Sequence, residues 1–149
     1  MNELIKQFIQ RVSPVCQDEG GENYAYAIFR IVVSGLFFLH GAQKFFGILG
    51  GIDGAGGVAM LGSLPWFAGL IEIVVGVSVL VGIFTRLAAL SAVIEMTIAY
   101  FVAHLPNGLD PFSNGGELAI MFLVSFLIIF RYGAGKWSLE KRYCKLESF

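Results

Sequence analysis

Residues 64–84 read LPWFAGLIEIVVGVSVLVGIF, 21 positions with a single charge, Glu72. A helix needs about 20 largely apolar residues to cross the hydrocarbon core of a bilayer. A helix that is apolar all round is a buried or membrane-spanning one, not a surface helix. The stretch therefore reads as a transmembrane span. Outward from it the pattern recurs. Residues 24–46 form a long apolar run interrupted by Arg30, His40 and Lys44. Residues 87–103 form another, with Glu95 inside it. Residues 115–133 form the last, bounded by Glu117 and Arg131. Those two charges are about 21 Å apart at 1.5 Å per residue, so they fit near opposite headgroup layers. The expected fold is all-α: a four-helix transmembrane bundle.

Composition agrees. Of 149 residues, 56% are apolar and 14% charged, where a soluble domain carries about a quarter charged residues. The length fits one domain. Net charge is −1, with no Lys/Arg run, so nucleic acid is not an expected partner and the lipid bilayer is. Residues 1–23 precede the first span. In them Leu4, Ile5, Phe8, Ile9 and Val12 recur at helical spacing opposite Glu3, Lys6, Gln10 and Arg11. That pattern predicts a short amphipathic helix lying in the membrane interface, ended near Pro14. Residues 24–135 form the membrane domain, and residues 136–149 a C-terminal tail.

The connections differ in character. Residues 47–62 are glycine-rich, which permits unusual dihedrals and close backbone approach. Thr85-Arg86 is a tight turn. His104 to Gly116 is dense in turn formers, among them Pro106, Asn107, Gly108, Pro111 and Asn114. With four spans, Lys6, Arg11, Arg86, Arg131, Lys136, Lys141, Arg142 and Lys145 all fall on one side, and the other two loops hold only Lys44. The positive-inside rule then places both termini in the cytoplasm. Cys16 and Cys144 also fall on that reducing side, with no CxxC spacing, so neither a stable disulfide nor a dithiol redox centre is expected.

An ionisable group inside a bilayer costs about 2.5–3.5 kcal/mol even on the lenient insertion scale. At 100° per residue, Arg30, Ser34, Gly41 and Lys44 share one face of the first span. Glu72 shares a face with Ala68 and Gly76, and Glu95 with Ala88, Ser91 and Ala99. Small residues let membrane helices pack closely, so the charged faces read as packing faces. Arg30, Glu72 and Glu95 all fall near mid-membrane by residue count. The natural expectation is a buried charge network with Arg30 held between the two carboxylates, one of them protonated or paired elsewhere. Such a cluster serves either to fix helix packing or to handle protons or a ligand. A second constellation lies toward the outer face: His40, Lys44, His104, Asn114 and Glu117. These are the candidate ligand- or quinone-binding residues. No HxxxH or related spacing makes them a metal site.

Several of these residues stand in a recognisable order. Arg30, Gly35, His40-Gly41 and Lys44 come first. Glu72, Gly76, Gly82 and Thr85-Arg86-Leu87-Ala88-Ala89 follow. Asn114-Gly115-Gly116-Glu117 and Gly133-Ala134-Gly135-Lys136-Trp137-Ser138-Leu139 close the series. In order and spacing the chain resembles the DoxX family over about residues 24 to 140. The resemblance implies a bacterial or archaeal inner-membrane protein. Some members are similar to a subunit of thiosulfate:quinone oxidoreductase, and others are linked to redox stress and quinone detoxification. No haem, flavin or iron–sulfur signature is encoded, so a redox role implies a lipid quinone and a partner oxidoreductase that supplies the electrons. The competing reading is a small-solute transporter, or a non-catalytic assembly or anchor subunit. Homo-oligomerisation stays open, and the GxxxG spacings at Gly47-Gly51 and Gly50-Gly54 fall in a loop.

Overall fold

The structure, a computed structural model, describes residues 24–146. The expected N-terminal amphipathic helix and Cys16 lie outside the described residues. Five α-helices follow one another: α1 (Tyr24–Phe46), α2 (Leu64–Val81), α3 (Thr85–Ala99), α4 (Glu117–Tyr132) and the short α5 (Leu139–Leu146). Beyond Ala99, α3 runs on through one π-turn, Tyr100–His104, and a 3-10 turn, Leu105–Asn107. Three helical stretches among the described residues are long and apolar enough to cross a membrane: Tyr24–Phe46, Leu64–Val81 and Thr85–Asn107. At 16 residues α4 is shorter than any of these three stretches. It spans about 24 Å against a hydrocarbon core of about 30 Å.

Local chemistry explains the boundaries. Ser63 caps α2 by accepting the Trp66 N–H at 3.3 Å, and Pro65 occupies the first turn, where no N–H is needed. Gly82 ends α2 in the left-handed region, φ 72°, and its N–H bonds back to Ser78 O. Pro106 follows the π-turn and ends the third helical stretch.

The four long helices pack as two antiparallel hairpins, α1 with α2 and α3 with α4, and the seam between the hairpins is looser than the packing within each. In the first hairpin backbone meets backbone. A Cβ on Gly41 would sit 2.7 Å from Gly69 O and 2.8 Å from Ile73 N, and one on Gly76 would sit 2.8 Å from Phe38 N. Without lipid-excluding hydrophobic pressure, this close dispersion contact is what holds membrane helices together. Between the hairpins the core is filled by Phe37, Val75 and Val79 against Ala88, Ala92, Met96, Phe122 and Phe126. Phe37 meets Phe126 and Phe122 edge-on, at 4.6 and 5.1 Å between centroids. The outward faces carry Ile28, Val32, Leu36, Val74, Ile94, Ile98 and Met121, as lipid contact requires.

The glycine-rich loop folds back on the end of α1. Gln43 donates to Gly51 O at 2.8 Å, and Ala59 N–H donates to Lys44 O at 2.8 Å. Gly47 and Gly51 adopt φ 69° and 62° where the loop doubles back on residues 56–58, a path that no side chain permits.

Candidate functional site

Arg30 is fully buried, but not where the sequence placed it. Its guanidinium donates to the carbonyls of Val79, Leu80 (2.9 Å), Lys136 (3.2 Å) and Trp137 (3.0 Å). No carboxylate is among its hydrogen-bond partners in the described residues. The expected Arg30–Glu72–Glu95 network is therefore corrected. The reason is antiparallel register. Arg30 sits two turns into α1 and faces the C-terminal end of α2, whereas Glu72 lies two turns further along. The last carbonyls of α2 have no intrahelical partner and carry the negative end of the helix dipole, so a planar cation satisfies them. The tail segment after α4 supplies the other two carbonyls. Residues 136–138 thus belong to the bundle, although the sequence placed them in a free tail.

The rest of that end is tied in the same way. The Tyr26 hydroxyl donates to Gly133 O at 2.5 Å. Lys136 Nζ lies 3.8 Å from the Tyr24 ring centroid. The Glu140 N–H donates to Gly82 O at 3.0 Å, and the Glu140 carboxylate accepts the Thr85 N–H at 2.9 Å, which caps α3. Gly82 lies so close to Ser138 that a Cβ there would stand 2.8 Å from Ser138 Cα. This end is a structural knot. Its residues are those of the motifs Thr85-Arg86 and Gly133–Leu139.

The opposite half of the bundle is built differently. Lys44 Nζ forms an ion pair with Glu72 Oε1 at 2.5 Å, across the Gly41–Gly69 contact that brings the two helices together. Glu72 is 2% exposed and Glu95 8%. Glu95 lies within electrostatic reach of both Glu72 and Lys44. Glu72 Oε2 and both carboxylate oxygens of Glu95 are buried with no hydrogen-bond partner among the described residues. Lys44, which the sequence assigned to the outer cluster, thus takes the place beside the carboxylates that it assigned to Arg30. The signal for this was present: Lys44 and Gly41 share the packing face of α1, and Glu72 follows Gly69 by three residues, just under one turn.

The other outer candidates divide. His40 is half-buried and stands edge-on to Phe122, 5.5 Å between centroids, beside Lys44 on α1. His104 Nδ1 pairs with Asn114 O at 3.2 Å. Asn114 donates from Nδ2 to Gly108 O at 2.7 Å and accepts the Gly116 N–H at 2.7 Å, so it ties the α3–α4 loop together. Glu117 is exposed in the first turn of α4. The geometry therefore places Lys44 with the carboxylates, leaves His40 beside Lys44 against Phe122, and gives His104 and Asn114 a loop-shaping role. No group of three or more His, Cys, Asp or Glu residues that could hold a metal occurs among the described residues.

A family model described as DoxX matches residues 25–105, which spans Arg30, Lys44, Glu72, Glu95 and His104. The chain belongs to the DoxX family. It is a multi-pass membrane protein. A Haemophilus influenzae protein described as uncharacterized is 40% identical over 128 residues, covering 82% of this chain and 92% of that protein. A second uncharacterized Haemophilus influenzae protein is 37% identical over 59 residues, 40% of this chain and 39% of its own length. No solved structure matches significantly. The DoxX match ends before α4, so the strap of residues 133–140 that closes the Arg30 knot lies beyond the matched region.

Proposed function

We propose that this DoxX protein is a quinone-linked redox subunit of the bacterial or archaeal inner membrane, and that the Lys44–Glu72–Glu95 cluster is its quinone headgroup site. The observation that carries this reading is the set of three unpartnered carboxylate oxygens beside a partly exposed ammonium group. Buried polar groups without partners are costly, so membrane proteins keep them where a ligand or proton uses them. The cluster fits the headgroup chemistry. Lys44 Nζ has donors left after its bond to Glu72 and can hold a quinone carbonyl, and the carboxyl groups can exchange protons with a quinol hydroxyl. The looser seam between the two hairpins, where α2 carries Glu72 and α3 carries Glu95, gives a lipid-soluble molecule its entry. Electrons would come from a partner oxidoreductase. Arg86, Arg131, Lys136, Lys141 and Arg142 cluster at the Arg30 end, and this bias supports a cytoplasmic placement of that end and of both termini.

The test is organic extraction of natively purified protein and mass spectrometry of the extract. Stoichiometric quinone is expected, lost in Glu95→Gln and Lys44→Met and kept in Glu117→Gln. Phospholipid alone, or quinone that survives both cluster substitutions, refutes the assignment and moves the weight to solute flux or an anchoring role.

A further inference from the structure

We infer that the Lys44–Glu72–Glu95 cluster binds the reduced, dihydroxy form of its aromatic ligand in preference to the oxidised, dicarbonyl form. This rests on the headgroup assignment made above and adds the direction of redox preference. The argument is an inventory of donors and acceptors. Glu72 Oε1 is taken by Lys44, while Glu72 Oε2, Glu95 Oε1 and Glu95 Oε2 are buried and unpartnered. The groups that act on Glu95 are Glu72 from α2 and Lys44 from α1. His40, the remaining titratable group beside Lys44, stands against Phe122. From α4 the charged side chains Glu117 and Arg131 are exposed at its two ends. The site therefore sets three open carboxylate oxygens against the remaining hydrogens of Lys44.

A quinone carbonyl only accepts. It can take a hydrogen from Lys44, yet it leaves Glu72 Oε2 as bare as before. A quinol hydroxyl both donates and accepts. It can fill Glu72 Oε2 or a Glu95 oxygen with Glu95 in either charge state, because a neutral carboxyl offers one acceptor and one donor. Filling a buried acceptor that is otherwise unpaired is worth roughly ten- to a hundredfold in affinity. By linkage, a site that holds the reduced form more tightly makes the bound couple a stronger oxidant than the free pool. The cluster would then favour the direction in which a partner's electrons enter the quinone.

The experiment uses the full chain in lipid nanodiscs and a short-tailed ubiquinone analogue. The analogue is added either as the quinone or, after chemical reduction under argon, as the quinol. Calorimetry should give a quinol Kd at least about tenfold below that of the quinone. Glu72→Gln, which puts a donating amide beside the ligand, should bring the two affinities within about threefold, and circular dichroism checks that the helices persist. Glu117→Gln should keep the wild-type preference. Quinone binding as tightly as quinol overturns this inference and leaves the headgroup assignment standing. Binding of neither form overturns both. A preference that survives Glu72→Gln in a helical protein places its cause elsewhere and also overturns the inference.

Discussion

Replacing Arg30 with alanine separates the two roles a buried arginine can have here. In the structure it caps the α2 C-terminus and pins the strap, through bonds to Val79, Leu80, Lys136 and Trp137. Hydrogen bonds from a charged donor contribute about 1.5–3 kcal/mol each, and neutral ones about 1. Four carbonyl partners discounted to about 1 kcal/mol apiece, because some will recruit water or shift, give a loss of about 4 kcal/mol. Arg30→Lys should recover less than half, since an ammonium cannot span two pairs of carbonyls as a planar fork does. Arg86→Ala, at a half-buried position with no such set of partners, should cost under about 1 kcal/mol. The assay is equilibrium unfolding in mixed detergent micelles, joined to limited trypsinolysis at Lys141 and Arg142. Arg30→Ala should lower stability and expose α5 to cleavage together. The refuting result is rescue of Arg30→Ala by Glu72→Gln. That would mean the arginine neutralises a carboxylate after all.

Three further outcomes can be checked on the same preparations. Gly76→Ala places a Cβ 2.8 Å from the Phe38 backbone and should cost about 1–3 kcal/mol, whereas Gly35→Ala, with nothing within 4 Å of the new methyl, should be neutral or slightly stabilising by melting temperature. Glu140→Ala removes the side-chain acceptor of the Thr85 N–H and should cost about 1 kcal/mol, with hydrogen exchange rising first at the start of α3. In the glycine-rich loop the Asp53 carboxylate accepts from the N–H groups of Ala55 (2.9 Å) and Gly57 (2.8 Å), and these bonds hold its pKa below the usual carboxylate range. A depressed folded value means the stabilisation is present above the unfolded pKa and fades as pH falls through the folded one. Loop amide protection should follow that acid limb and lose it in Asp53→Asn.

The helices were legible in the sequence because lipid imposes a length and a polarity that no other solvent does. The first span coincides with α1 at both ends, and α2 begins at Leu64 as expected but stops at Val81, because Gly82 turns left-handed two residues before the apolar run ends. The third helical stretch is longer than expected, since the π-turn at Tyr100–His104 carries the chain past Ala103. The partners of the charges were less legible. Residue counting placed Arg30, Glu72 and Glu95 at one depth, whereas two turns of α2 separate Glu72 from the carbonyls of Val79 and Leu80 that Arg30 meets. Those carbonyls are invisible to a reading made in side chains, because every residue has one. The strap's contribution was hidden for the same reason. Residues 136–138 looked like the start of a tail, yet Lys136 and Trp137 bring main-chain oxygens, not side-chain charges, to the guanidinium.

The two halves of the bundle hold their central buried charges differently, and the contrast bears on function. At the Arg30 end a cation is surrounded by carbonyls until only Nε lacks a partner. Ser34 is satisfied within its own helix by Arg30 O at 2.7 Å. Such saturation stabilises and specifies one arrangement. At the Lys44 end three carboxylate oxygens have no hydrogen-bond donor among the described residues. A site kept only for packing would gain from such a donor, since each bare acceptor costs about 1–3 kcal/mol. The Arg30 end also leaves Arg30 Nε, Thr85 Oγ1 and Arg86 Nε without a partner among the described residues, but there the guanidinium's other nitrogens are bonded, whereas Glu95 is bare on both oxygens. Groups left open in this way are available to a molecule that arrives from the lipid, and Glu72 and Glu95 stand on α2 and α3, the helices on either side of the looser seam.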